Sequence, residues 1–279
     1  MENTKQDVEY WVQFLSENKI PVMQQTVRSI AAARDNIDKV SSREISTIIL
    51  HDPLMTLQVL EYIRPMHGSR MLQEITTVGN AIMMVGIEPF FKRFEGLSTI
   101  EEMLKPYPQI LLYLLKVIRR AQRASRYAYI WATWRFDANA EEVAIAALLH
   151  DVAEILLICF TPKQALKIYA LMRADHTLRS VSAQDSVLGF RLAELQLALC
   201  RRWKLPELLL YLMDDTHAEE SRVKNVKLAV DLARHSANGW DDAALPDDYL
   251  AIEKLLHISH EELMAQLGQE ETPNQVERK

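Results

Sequence analysis

Apolar residues recur along this chain at the three- and four-residue spacing of a helix face, and no sustained apolar–polar alternation marks a strand. Ser41-Ser42-Arg43-Glu44 reads as a capping box, a hydroxyl and a glutamate that satisfy each other's backbone amides, opening a helix that carries Ile45, Ile48 and Ile49. Asp52-Pro53 reads as an N-cap plus first-turn proline, starting a helix that runs to Ile63 and stops before Pro65. Thr76 or Thr77 begins another, and Gly86 is placed to end it in a left-handed cap. Ser98-x-x-Glu101 is expected as a second capping box. A long helix follows from Tyr107 to about Arg135, then an Asp137–Ala140 turn and one apolar helix over 140–160. Pro162, Ser182, Pro206 and the 221–238 segment mark further helix starts, and Gly239 a stop. Residues 246–267 make one or two peripheral helices with a third capping box at Ser259-x-x-Glu262, and Gly268–Lys279 is a polar, frayed end. The pattern predicts a compact all-α protein.

Composition narrows the function classes. With 49% hydrophobic and 25% charged residues in 279, the chain is an average globular one, which excludes wholesale disorder and collagen-like repeats. Its 7 glycines never crowd into G-x-G-x-x-G or the phosphate loop G-x-x-x-x-G-K-[ST]. Cys159 and Cys200 form no CxxC pair, so neither a redox motif nor a zinc knuckle is present. A net charge of -6 argues against a chain-wide nucleic-acid footprint. MENTKQDVEYW has no basic-then-apolar secretion signal. The longest apolar stretch, Val143–Phe160, is interrupted by His150, Asp151 and Glu154, which a lipid-spanning helix would not carry without partners. A cytoplasmic protein with no membrane partner is expected.

The strongest chemical signal is Ala146-Ala147-Leu148-Leu149-His150-Asp151-Val152-Ala153-Glu154. An imidazole and a carboxylate deep in an apolar helix must be paired or metal-bound, because burying them bare is costly. Two readings stand: a hydrogen-bonded pair fixing two helices, or two ligands of a divalent metal. His51-Asp52 differs, because Asp52 has a full structural task as a cap. Lys116, Arg119, Arg120, Arg123, Arg126 and Arg135 form a basic stripe interleaved with Tyr127, Tyr129, Trp131 and Trp134. It is either the solvated side of an amphipathic helix or a face for an anionic ligand at Arg119, Arg120, Arg123 and Arg126. His257 and His260 have a spacing one metal could bridge, but they lack further ligands nearby and read as an exposed helix. No G-x-S-x-G elbow or recognisable cysteine-nucleophile motif supports nucleophilic catalysis.

Several motifs in order carry a family resemblance. Ile20-Pro21-Val22, then Ser42 through His51-Asp52-Pro53-Leu54, then Ile75-Thr76-Thr77-Val78-Gly79-Asn80-Ala81-Ile82 and Val85-Gly86-Ile87, resemble the opening of the HDOD (HD-related output) domain. Leu148-Leu149-His150-Asp151 is similar to its central motif, and Trp203-Lys204-Leu205-Pro206 with the Val226–Arg234 helix to its close. The resemblance spans about 15–240. It implies an all-helical bacterial signalling module, a relative of HD phosphohydrolases that has mostly lost the hydrolytic metal. The catalytic relatives need an upstream histidine, where this chain reads Leu114-Leu115-Lys116-Val117-Ile118-Arg119-Arg120-Ala121. Those of HD-GYP type continue the pair with Gly-Lys, where it has Ala153-Glu154; many HDOD sequences carry a histidine past a glycine, where it has Gly189-Phe190-Arg191-Leu192, and often a His-His pair, where it has Met213-Asp214-Asp215-Thr216-His217.

The expected layout is an N-terminal helical half (1–105), an HD-like half (106–240) and a C-terminal extension (241–279). His150 and Asp151 are expected as a structural pair, or as a remnant weak divalent-metal site with Asp214 or Asp215 and no other cofactor. The resemblance implies a non-catalytic module that binds a protein partner in a bacterial signalling pathway. The alternatives are a metal-dependent phosphohydrolase of a nucleotide or cyclic dinucleotide, and a sensor of a nucleotide second messenger without turnover.

Overall fold

The computed structural model describes residues 8–63, 75–175 and 178–270. Among them every regular element is helical, apart from an isolated parallel bridge between Val22 and Thr99. The expected all-α class is what the chain adopts. Pro65 and residues 271–279 lie outside the described segments.

The first part holds α1 (Val8–Glu17), α2 (Gln24–Asp35), α3 (Ser42–Leu50), α4 (Pro53–Ile63), α5 (Val78–Val85), α6 (Ile87–Arg93) and α7 (Ile100–Met103). The capping box at Ser41 and Glu44 forms in both directions. Asp52 does more than cap α4: its fully buried carboxylate accepts from the amides of Leu54 (2.9 Å) and Met55 (3.2 Å), from the Met23 amide (2.8 Å) and from Thr26 Oγ1 (2.8 Å). α2 needs that help, because Met23 stands at its N-cap with no side-chain acceptor of its own. Glu101 supplies a second one, accepting from the Gln24 amide at 2.9 Å. The expected Ser98–Glu101 box is therefore displaced by one residue. Thr99 caps α7 on Glu102 N, while the Ser98 carbonyl bonds Val22 N and Glu101 is drawn to α2.

α8 (Pro108–Trp134) is the axis of the second part, and it packs most extensively on α9 (Ala140–Leu149) and α15 (Ser221–His235). Its buried side alternates large and small residues, with Ala121, Ala124, Ala128 and Ala132 allowing close approach. The expected helix over 140–160 is two helices, α9 and α10 (Val152–Phe160), broken at His150–Asp151. The break is tolerated because buried Gln196 of α13 (Leu192–Arg202) mends it: Oε1 accepts from Ala153 N and Nε2 donates to the Leu149 carbonyl, both at 2.8 Å. This is the one segment among the described residues apolar and long enough to cross a membrane, and 89% of its most apolar window is inside the bundle.

α11 (Pro162–Ala174), α12 (Ser180–Leu188) and α14 (Glu207–Leu212) complete this part, with α12 starting two residues ahead of Ser182. α1 docks on α10 and α13, bringing Trp11 to Phe190 (6.2 Å between rings) and Phe14 to Phe160 (6.4 Å). One hydrophobic core runs through both parts. The end of the chain forms α16 (Leu245–Leu256) and α17 (His260–Glu270), so Gly268 lies within a helix. The Ser259–Glu262 capping box forms. His235 Nδ1 lies 2.6 Å from Asp248, fixing α16 to α15.

Candidate functional site

Four elements converge at the α9–α10 break. α8 presents Tyr113 and Arg120, seven residues apart and so on one side of the helix. The break and first turn of α10 present His150, Asp151 and Glu154. α15 presents Arg234, and a 3₁₀ turn over Asp215–His217 presents Asp215.

Arg120 occupies the centre. Its Nη2 bridges Asp151 Oδ2 and Glu154 Oε2 at 2.6 Å each, and its Nε reaches Asp151 Oδ2 at 3.1 Å. Tyr113 donates its hydroxyl to Glu154 Oε1 at 3.0 Å. Arg234 closes the other side, with Nη2 3.1 Å from Asp151 Oδ1. His150 sits against the same oxygen at 3.4 Å, and its Nε2 lies 3.5 Å from Asp215 Oδ1. The central ion pairs are mostly buried: side-chain exposure is 12% for Arg120, 10% for Asp151 and 9% for Glu154.

Burial works against the Asp151 charge, but Arg120 and Arg234 hold its carboxyl well below the usual carboxylate range. Arg120 is likewise held charged, with Glu154 and Asp151 outweighing its burial. Burial disfavours the His150 imidazolium, yet its bonds to Asp151 and Asp215 push the pKa up to about 9. Burial raises Tyr113, reinforced by Glu154, so its hydroxyl stays protonated and donates.

A divalent metal, which the HD-type pair implies, does not fit these residues. A metal-ligating imidazole must turn a free lone pair to the ion, whereas the His150 nitrogens face Asp151 at 3.4 Å and Asp215 at 3.5 Å. Both oxygens of Asp151 already carry guanidinium N–H groups, and two such cations repel a third. Among the described residues, no group of three or more His, Cys, Asp or Glu side chains is placed to hold a metal ion.

The residues singled out in the sequence separate accordingly. His150, Asp151 and Asp215 come together. Asp214 does not join them: it caps the 3₁₀ turn, accepting from Thr216 N (3.0 Å) and Thr216 Oγ1 (2.6 Å), with His217 3.7 Å away. Arg119, Arg120, Arg123 and Arg126 do not form one anionic-ligand face. Arg120 turns into the network, and Arg123 bonds Ser236 between the rings of Tyr127 and Trp240, while Arg119 and Arg126 face outward. Helix periodicity separates Arg120 from Arg119 and Arg126, whereas Arg123, four residues beyond Arg119, lies beside it and is drawn in by its bond to Ser236. Both cysteines are buried, with the Cys200 thiol pushed up to about 12 by burial, which removes them as nucleophiles. His260 pairs with Glu253 at 2.7 Å, and His257 is a left-handed helix cap.

Tyr113, Glu154, Gln196 and Arg234 are functional neighbours that the sequence reading left unassigned. The available signal was a single polar residue on an otherwise apolar stripe, clearest at Gln196 in Leu195-Gln196-Leu197.

These features define an all-α bundle of HD type in which arginines close the His–Asp pair. The chain belongs to the HDOD family, whose profile matches residues 20–219. Among solved structures it is similar to the MmoQ response regulator of Methylococcus capsulatus, with TM-score 0.69, 17% identity, and 90% of this chain and 98% of that one covered. It is also similar to a virulence factor of Campylobacter jejuni, with TM-score 0.65, 19% identity, and 95% and 92% covered. No curated protein matches the sequence.

Proposed function

We propose that this chain is a non-hydrolytic signalling module that acts by binding a protein partner, and that its His–Asp pair serves as an internal clamp. The observation that carries the reading is the Arg120 guanidinium bridging Asp151 and Glu154. It supplies from within the chain the positive charge that a metal supplies in an HD hydrolase, and it leaves no Lewis acid to polarise a phosphate or activate water.

The outer surface supports a binding role. Phe136 is 95% exposed at the end of α8, with Tyr129, Leu112, Lys116, Arg119 and Arg126 also exposed along that helix. Exposed aromatic and arginine side chains are the usual anchors of protein interfaces, and the cations favour an acidic partner. The response-regulator description of one structural neighbour suits this role, although at that identity only the fold is shared.

The test is manganese binding by calorimetry together with hydrolysis of bis-p-nitrophenyl phosphate and a cyclic dinucleotide. No stoichiometric metal and no turnover are expected. Manganese-dependent turnover that His150→Ala abolishes would overturn the reading in favour of a phosphohydrolase.

A further inference from the structure

α8 carries Lys116, Arg119, Arg120, Arg123 and Arg126 and no carboxylate, within a chain whose net charge is -6. Arg120 and Arg123 turn inward to partners of their own. Lys116 and Arg119 are exposed, and neither pairs with a carboxylate of the described residues. Cations gathered on one surface repel each other and attract an opposite charge from outside.

The stripe has a definite direction. Exposed positions recur every seven residues at Leu112, Arg119, Arg126 and Thr133. A seven-residue repeat drifts by about 20° per step on a straight α-helix, so these positions follow a line close to the axis with a slight left-handed turn. A second helix crossing at about 20° stays on such a line over its length. An extended peptide has no comparable seat, since main-chain pairing needs a sheet edge and the described residues form no strand. Leu112 (63% exposed) and half-buried Leu115 make one end of the surface apolar, Lys116 and Arg119 charge its middle, and Tyr129 (51% exposed) borders the other end.

None of the segments 1–7, 64–74 and 271–279 has more than one carboxylate in excess of its cations, so none of them supplies the opposite charge. A nucleic acid suits the surface poorly, because its dense negative charge would meet a net negative chain and leucines offer nothing to phosphates.

We propose that the outer side of α8 receives an acidic amphipathic helix of a partner protein, its carboxylates on Lys116 and Arg119 and its apolar residues on Leu112 and Tyr129. The inference rests on the partner-binding reading above and specifies where the partner sits and through what chemistry.

The experiment follows, by fluorescence anisotropy with the full chain, a labelled synthetic helix with glutamates and leucines along one side. A length of about 18 residues spans Leu112 to Tyr129. The same helix with lysine for each glutamate and an oligo-dT strand are the controls. Saturable binding of the acidic helix alone is expected, weakening as salt rises. Lys116→Glu with Arg119→Glu should weaken it at least tenfold. Arg201→Glu with Arg202→Glu, the same charge change at exposed sites on α13, should alter it less than twofold. Leu112→Ser should weaken it at least threefold, and it decides the matter should the double reversal fail to fold. No saturable binding, equal losses from the two double variants, or oligo-dT binding as tightly as the acidic helix would each overturn the proposal. The manganese and turnover assays are independent of these outcomes, so a failure on α8 is told apart from a failure of the non-hydrolytic reading.

Discussion

Nη2 of Arg120 lies 2.6 Å from Asp151 Oδ2, and the same nitrogen lies 2.6 Å from Glu154 Oε2. One guanidinium thus neutralises two carboxylates one helical turn apart on α10 and ties them to α8. Burying three charged groups is favourable only when each is compensated, and here Tyr113 and Arg234 complete the hydrogen bonding around them. An arrangement of this kind locks the relative position of α8, α10 and α15, which suits a scaffold better than a catalyst that must exchange ligands.

Removing the central cation should therefore be severe. Arg120→Ala leaves Asp151 and Glu154 buried with only Arg234, His150 and Tyr113 near them, and is expected to destabilise the fold by about 3–5 kcal/mol. Arg120→Lys should recover only part of the loss, because an ammonium cannot reproduce the planar fork that spans both carboxylates. Urea denaturation of the two variants checks this, and near-equal stability of wild type and Arg120→Ala would contradict the clamp.

The network also fixes the direction of pH dependence. His150 has a folded pKa of about 9, above the free imidazole value of about 6.5. Its contribution is therefore complete below about pH 6.5 and is lost as pH rises through about 9, a change of roughly 3 kcal/mol. Asp151 behaves oppositely. Its folded pKa is depressed, so its contribution is present above the free carboxylate value of about 3.9 and is lost as pH falls toward its folded value. Denaturation of wild type and His150→Gln between pH 6 and 10 should show their stability difference shrinking toward the alkaline end.

The all-α class, the start of α4, the ends of α8 and the capping boxes at Ser41 and Ser259 were legible because each rests on contacts within about four residues. The candidate site was half legible. His150 and Asp151 stood out as polar groups in an apolar run, but their partners lie far along the chain, Arg120 on one side and Arg234 on the other. Spacing alone cannot say which arginine of Arg119-Arg120 turns inward. The break in the 140–160 helix escaped for the same reason, since Gln196, which makes it tolerable, lies more than forty residues downstream.

Gln196 supplies the third test. Replacing it with leucine keeps the volume but strips partners from the Ala153 amide and the Leu149 carbonyl, both buried. An unsatisfied buried polar group costs about 1–3 kcal/mol, so Gln196→Leu should lower stability by about 2–4 kcal/mol. Amide exchange at Ala153 should quicken more than exchange within α8, and unchanged protection there would contradict the role assigned to Gln196.

Phe136 should respond in the reverse sense. It takes a left-handed φ of 54° just past the end of α8, where its amide bonds the Thr133 carbonyl (3.0 Å) and the next amide bonds that of Ala132 (2.9 Å). This double bond pattern favours glycine at that position, because a side chain there costs about 1–2 kcal/mol in backbone strain. The ring, 95% exposed, recovers almost nothing by burial. Phe136→Gly should therefore raise stability by about 0.5–1 kcal/mol once the greater freedom of glycine in the unfolded chain is subtracted. Phe136→Ala keeps the strain and should change little. Thermal melts of the pair separate backbone from ring: stabilisation by glycine alone would mean that the phenyl ring adds nothing to the fold and only its backbone is strained, whereas equal losses in both variants would mean that the ring supports the fold.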